Sequence, residues 1–434
     1  MILPMQSLYP LKVDKLGGTS AWTMWFVAEL FALMQFSLQL SSGAMVGNLM
    51  DTFVLTACGG GLLSSVYYYI YVSLQTPAGM LLDRFGPRRL LGAGALICGA
   101  GCLVFAKSEF LVSAIVGRIL MGGGAAFAFV GVLTILVRWF PPRRFTLMVA
   151  LVESLGMIIS MMGGVYLAIV IQDLGWRHCM ESIGFALILL SPVLLFFIRD
   201  EPVLEEILPE QLSKAGRRLP FADFITALKG LLRNKHAWAN AGYSGLTFAI
   251  LTVFGALWGA PFLKIEHHLD LTTAALLANM VFAGAAIGCP LMSYLDNRIQ
   301  SRSYLLAAGA LLTGIFLSLI VFIPELPIPI LVILLILTGV CCSTYVINFT
   351  VGKEMVSPTL QSTSMGFVNT LSVATAPIFQ PLVGLIMDLM LETSGDGLLH
   401  YSVSNYQWGI SVLIVAQLAA VWLAFKIPAR AQNF

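Results

Sequence analysis

Three ionisable residues stand well inside apolar stretches of this chain: Glu29, Arg118 and Glu153. An arginine in hydrocarbon costs at least about 2.5–3.5 kcal/mol, so such groups face a partner or a wet cavity and by default mark a path for substrate or proton. Glu29 shares a helical face with Trp25, Ala32, Phe36 and Gln39, with Gln35 at its edge, which suits a cavity wall. The planar fork of Arg118 is built to hold an anionic group. Glu29 or Glu153 could pass a proton, because loss of water disfavours the charged form of a carboxyl. Glu29 is the better placed of the two on its shared face; the alternative for Glu153 is to pair with Arg118 alone.

Neutral polar groups recur at helical spacing in the second part of the chain. Ser362, Asn369, Ser372 and Gln380 form one stripe, Tyr345 and Asn348 lie one turn apart, and Asn240, Tyr243 and Ser244 form a third set. The candidate substrate-binding set is therefore Arg118, Gln35, Gln39, Tyr345, Asn348, Asn369, Asn240 and Tyr243, with Glu29 and Glu153 for protons. Each polar stripe could equally serve hydrogen bonds between helices. Of Tyr67, Tyr68, Tyr69 and Tyr71, at most one or two can line a single cavity.

The elements that must position these groups follow from composition. Of 434 residues, 58% are hydrophobic and 11% charged, against about 25% charged in ordinary soluble domains. Lipid is the solvent for such a chain. Apolar runs long enough to cross a bilayer predict an all-α membrane protein with twelve transmembrane helices, near 20–48, 56–82, 89–106, 109–138, 146–172, 177–198, 236–263, 271–295, 303–323, 328–350, 360–389 and 408–426. No signal peptide is read at the N-terminus. Residues 1–198 make a first six-helix bundle, 199–235 a linker, and 236–434 a second bundle. Phe221, Phe224, Ile225, Leu228, Leu231 and Leu232, opposite Lys229 and Arg233, give the end of the linker an amphipathic helix on the membrane surface. Placing both termini in the cytoplasm leaves only Lys107, Arg177 and Lys264 outside, with Arg118 within the membrane. All other Lys and Arg are then inside, as the positive-inside rule requires.

Seven cysteines, Cys58, Cys98, Cys102, Cys179, Cys289, Cys341 and Cys342, fall in apolar segments with no CxxC pair, and read as packing residues rather than metal ligands. No cofactor, metal or nucleic-acid partner is expected, and neither a P-loop nor a nucleophile–base pair is found, so the chain does not read as an ATP-driven pump or an enzyme.

The two bundles carry a faint repeat. Pro77 precedes Asp83 by six residues and Pro290 precedes Asp296 by six, each pair closing the second helix of its bundle. Paired halves around a central site are the plan of many secondary transporters. The loop Gly79-Met-Leu-Leu-Asp83-Arg84-Phe85-Gly86-Pro87-Arg88-Arg89 resembles the G-x-x-x-D-R-x-G-x-R-R signature of the major facilitator superfamily at every fixed position. Arg118-Ile-Leu-Met-Gly122-Gly-Gly124-Ala-Ala126 is similar to that family's R-x-x-x-G-x-G-A-A pattern. Gly175-Trp176-Arg177, Arg199-Asp-Glu-Pro202 and Asn405-Tyr-Gln-Trp408 extend the resemblance over the chain. The copy in the second half, Asp296-Asn-Arg298-Ile-Gln-Ser-Arg302, is degenerate.

The resemblance implies a bacterial inner-membrane transporter working by alternating access, in which Gly79, Asp83, Arg84, Gly86, Arg88 and Arg89 latch the cytoplasmic ends of the halves. Asp83 could meet those arginines or a helix N-terminus of the other half. Proton-linked drug exporters of the family carry G-x-x-x-G-P-x-x-G-G in the fifth helix, where this chain has Gly156-Met-Ile-Ile-Ser-Met-Met-Gly163-Gly164, which speaks against drug antiport. An arginine, carboxylates, amides and hydroxyls suit a small zwitterionic or anionic metabolite. The chain is similar in overall texture to the branch that includes phagosomal amino-acid transporters, which implies an amino acid as substrate; with Glu29 or Glu153 carrying protons, the expectation is proton-coupled uptake, by a monomer. The alternatives are an importer of another organic anion, such as a carboxylate siderophore or a sugar acid, facilitated diffusion without coupling, an exporter, and a non-transporting receptor of the same fold.

Overall fold

The computed structural model describes residues 16–55, 57–202, 221–299, 301–390 and 401–428. Lys12, Lys15, Lys214, Arg217, Arg218 and Arg430, counted above among the inner-face charges, lie outside the described residues, as does most of the linker.

The first half is α1 (Thr19–Phe53), α2 (Ala57–Phe85), α3 (Pro87–Ala106), α4 (Leu111–Trp139) and the helical run Phe145–Phe197. That run is two crossings, α5 (145–174) and α6 (176–197), which meet at Gly175 with φ 80° and ψ 152°, a backbone state that favours glycine. After the surface helix α7 (Phe221–Arg233), the second half comprises α8 (Lys235–Glu266), α9 (Leu271–Arg298), α10 (Arg302–Phe322), α11 (Ile328–Glu354), α12 (Gln361–Leu389) and α13 (Val403–Ala424). Eleven described helical segments are long and apolar enough to cross a membrane. Counted with α2, which carries more small and polar residues, they give the twelve expected crossings.

Within each half the helices approach through small residues. A Cβ added at Gly94, Gly101, Gly117 or Gly124 would strike the partner helix across the α3–α4 contact, and one at Gly284 or Gly339 would strike it across α9–α11. Where lipid supplies no hydrophobic drive between helices, such backbone proximity is what holds them together. Trp22, Phe26, Phe110, Phe196, Trp408 and Trp422 are exposed, as apolar residues facing acyl chains should be.

Two crossings depart from regular helix. A π segment, Ile250–Trp258, interrupts α8, and a 3₁₀ turn, Ser343–Val346, interrupts α11. Neither carries an internal proline to announce it. The start of α13 also differs from expectation, lying at Val403 rather than 408, because Ser402 and Asn405 form a reciprocal capping box that satisfies the first turn.

Both ends of the described chain share one face. The Gly17 N–H donates to the Trp139 carbonyl at the end of α4 (2.8 Å), and His236 at the start of α8 meets the Lys426 carbonyl (2.7 Å). The α2–α3 loop carrying the signature motif lies on this terminal face, where Arg138 of α4 donates to the Leu82 carbonyl (3.3 Å).

Candidate functional site: a cavity between the halves

A cavity of about 80 Å³ lies between the halves, with both contributing to its wall. From the first half come Phe36, Gln39, Tyr68, Tyr71, Phe129 and Glu153, and from the second Phe248, Thr252, Phe282, Asn369 and Gln380. An aromatic enclosure with a few fixed amides and one carboxyl has the make-up of a small-molecule site.

Several of the polar groups are held in place. Tyr68 donates to the Gln39 carbonyl (3.1 Å), and Asn369 donates to Gln75 Oε1 across the halves (2.9 Å). Gln380 donates to the Thr252 carbonyl within the π segment (2.8 Å), and its own carbonyl accepts from Trp258 Nε1 (3.0 Å). Wider helical turns of this type concentrate at functional sites, and here the π segment presents Leu251, Thr252 and Ala256 to the cavity. Glu153, 3% exposed, accepts a 2.8 Å hydrogen bond from the Tyr345 hydroxyl of the other half.

Of the residues marked from sequence, Phe36, Gln39, Glu153, Asn369 and Gln380 line the cavity, and of the tyrosine run Tyr68 and Tyr71 do so. Tyr345 lies behind the wall as the partner of Glu153. Gln35 is buried beside Tyr67 rather than on the wall. Three expected substrate-binding residues are used up in packing of the second half. Asn240 and Asn348 bond each other's backbone and side chain (2.8–3.0 Å), and the Tyr243 hydroxyl is shared between the Leu306 carbonyl (2.7 Å) and Thr344 (2.8 Å). Their regular spacing served the interhelical alternative. Sequence reasoning missed Phe248, Thr252 and Phe282; the four-residue spacing of Phe248, Thr252 and Ala256 was the available signal.

Arg118 is fully buried in α4 with its guanidinium 4.5 Å from the Phe105 ring, and none of its three nitrogens has a hydrogen-bond partner. The alternative role for Glu153, an ion pair with Arg118, does not form: among the described ion pairs neither residue appears, and Glu153 Oε2 accepts from Tyr345. Tyr67 and Tyr68 lie within electrostatic range of the guanidinium, and Tyr68 is on the cavity wall while Arg118 is not. Glu29 is 2% exposed, off the cavity wall, with both oxygens unpartnered, and within electrostatic range of Glu153. Buried polar groups without partners are rare and call for an explanation beyond stability.

The terminal face is closed by contacts between the halves. Asp83 at the end of α2 accepts hydrogen bonds from the Ser362 N–H (3.0 Å), the Thr363 N–H (2.7 Å) and the Thr363 hydroxyl (2.6 Å), so it caps the N-terminus of α12. A Cβ at Gly79 would overlap the Ser362 carbonyl. Thr134 donates to Ser362 (2.9 Å), and Thr146 bonds Thr350 (2.9 Å). Gly86 and Arg88 of the motif make their contacts within their own half. Gly86, at φ +82°, lies against the Asp200 carboxylate, which accepts the Arg88 N–H (3.0 Å) and so caps α3. The Arg88 side chain donates to the Leu195 carbonyl (2.7 Å), Arg84 lies over the Phe85 ring, and Arg89 is exposed. In the second half, Asp296 is held by Arg302 (2.8 Å), which also grips Glu354 (2.8 Å). On the opposite face Arg177 caps the end of α3 through the Ala106 and Ser108 carbonyls (2.6 and 2.8 Å).

Twelve membrane helices in two halves around an aromatic cavity with a few polar groups, joined at one face by a loop aspartate on a helix N-terminus, make a secondary-transporter fold. The Major Facilitator Superfamily profile matches residues 25–372 and 245–433, and the chain belongs to that family. An uncharacterized transporter of Bacillus subtilis, YybO, is 24% identical over 63% of this chain and 66% of its own length. A probable L-galactonate transporter of Escherichia coli is 24% identical over 87% of this chain and 84% of its own. Among solved structures, the facilitator-superfamily transporter FucP in an outward conformation superposes with a TM-score of 0.66 at 16% identity, over 94% of this chain and 100% of that one. The chain is thus a multi-pass membrane transporter of a small molecule, not a member of an enzyme family.

Proposed function

We propose that this protein takes up a small hydroxylated organic anion, of sugar-acid type, together with protons by alternating access. The observation that carries this reading is the unneutralised Arg118 within electrostatic range of Tyr68, together with a wall of neutral amides from Gln39, Asn369 and Gln380. A buried cation with no carboxylate partner favours an anion in the neighbouring cavity, while the amides suit hydroxyl groups. Glu153 supplies the coupling. When ionised it repels the anion, and when protonated it does not, so proton and substrate bind cooperatively. Glu29, close to Glu153, is the second proton carrier. The similarity to a probable L-galactonate transporter agrees with this substrate class. An amino acid is the second reading, favoured by Glu153 on the wall, where a carboxylate could receive an ammonium group.

The terminal face is read as cytoplasmic, in a bacterial inner membrane, because nearly all Lys and Arg then lie inside; a phosphatase reporter fused after Gln432 should be inactive, and an active one overturns the topology. We take the monomer as the working unit. The deciding test is uptake into proteoliposomes of a panel of sugar acids and amino acids, with and without an inward proton gradient. A sugar acid should accumulate above equilibrium in the parent but only equilibrate in Glu153→Gln. Accumulation of amino acids alone would transfer the assignment to the second reading, and indifference to the gradient would remove proton coupling.

A further inference from the structure

We infer that Tyr345 is the positioning residue through which the second half senses the proton on Glu153. Its hydroxyl holds the ionised carboxylate across the halves, and protonation weakens that contact and releases the closed terminal face. This rests on the proton-coupled reading above.

The contact joins the halves level with the cavity, between a Tyr345 that is 1% exposed and a Glu153 that is 3% exposed. The 3₁₀ turn Ser343–Val346 sets the tyrosine, and Phe248, itself on the cavity wall, braces its ring at 4.9 Å. Titratable groups facing Glu153 come from four helices: Glu29 on α1, Tyr71 on α2, Cys289 on α9 and Tyr345 on α11. None of these is a cation, and Arg118 is not paired with it. The hydrogen bond that the structure gives Glu153 is the tyrosine's, and it is the contact available to the carboxylate when Glu153 is ionised. The same hydroxyl is 3.8 Å from Cys289 Sγ, a weak partner that cannot replace a carboxylate.

A hydrogen bond to an ionised acceptor is shorter and roughly twice as strong as a neutral one. Adding a proton to Glu153 turns the contact into a neutral acid–phenol pair, so the closed arrangement loses stabilisation when the proton arrives. Neighbouring contacts across the halves lack this property. Ser154 donates to the Ala286 carbonyl (2.6 Å), and Thr76 bonds Thr370 (2.9 Å), with no titratable group in either.

The test uses the full-length protein in nanodiscs with spin labels at the exposed Arg143 and Arg298, one on each half at the terminal face. Distance distributions are recorded from pH 5 to pH 8. The parent's closed-to-open ratio should fall by roughly tenfold on acidification, the scale on which a charge-assisted bond exceeds a neutral one. Glu153→Gln should stay near the acid population at every pH, and Tyr345→Phe should show the same flat profile. A Tyr345→Phe protein that follows the parent profile while Glu153→Gln is flat overturns the role of Tyr345 and leaves the proton site standing. A Glu153→Gln protein that still accumulates substrate under a proton gradient removes the proton site itself. Should Tyr345→Phe fail to fold, fluorotyrosine at 345 keeps the shape and strengthens the donor, so opening should need lower pH; an unchanged midpoint overturns the inference.

Discussion

The Thr363 N–H of the second half donates to the Asp83 carboxylate of the first at 2.7 Å, so the signature-loop aspartate serves as the N-cap of a helix in the opposite half. A negative charge at a helix N-terminus stabilises by roughly 0.3–1 kcal/mol when exposed and up to about 2 kcal/mol when partly buried. That range fits a latch that must hold one state and still release.

Asp83→Asn keeps the shape but loses the charge, so the closed terminal face should lose about 1 kcal/mol, roughly a fivefold fall in the closed-to-open ratio. Spin-label distances across that face would report it. Substrate affinity from the open side should be unchanged; reduced affinity with an unaltered population would assign Asp83 to the site instead.

Gly86→Ala meets two obstacles, a φ of +82° and the Asp200 carboxylate where its Cβ must go. We expect a loss of about 1–3 kcal/mol, read as a lower midpoint of thermal unfolding in detergent. Adding Asp200→Ala should not rescue the variant, because the backbone strain persists and the α3 cap is lost as well.

Gln39→Ala and Gln380→Ala change side chains on the cavity wall, and each should raise the transport KM by roughly tenfold, the scale of one lost hydrogen bond to a polar substrate. Tyr243→Phe should leave KM alone and lower stability by about 1–3 kcal/mol, since the Leu306 carbonyl and Thr344 lose their partner. The reverse pattern in paired KM and unfolding measurements would relocate the site.

Arg118→Lys retains charge but gives up the planar guanidinium stacked on Phe105. With the field of the cation preserved, binding of an organic anion should weaken by less than about tenfold, whereas Arg118→Met should cost at least about a hundredfold. Equal, small losses in both variants by direct binding assay would make Arg118 a packing residue.

Much of this architecture was legible in the chain, because lipid imposes a simple code in which long apolar runs cross and basic loops stay inside. Asp83 and Gly79 could be placed at the contact between halves because a loop motif carries its own geometry. The facing of interior side chains was less accessible. Asn240, Tyr243 and Asn348 show the same helical spacing as Asn369 and Gln39, and only the pairing of helices distant in sequence decides which set meets the cavity. Arg118 and Glu153 do not pair, and the group that meets Glu153 is Tyr345, 192 residues along the chain, which spacing within one helix does not reveal. The π segment in α8 left no mark, because Ile250–Trp258 reads as an ordinary apolar helix.

The absence of a side chain at Gly79 lets α2 press its backbone against the Ser362 carbonyl, and a Cβ at Gly366 one turn deeper would meet the Gln75 carbonyl. Two main chains at that distance leave no room for a water molecule between them, so no file of waters can thread that line and conduct protons. A carrier coupled to protons, as proposed for this one, must be electrically tight while it is shut. Enlarging either glycine should therefore show first as a proton leak through empty vesicles, before any change in the substrate carried.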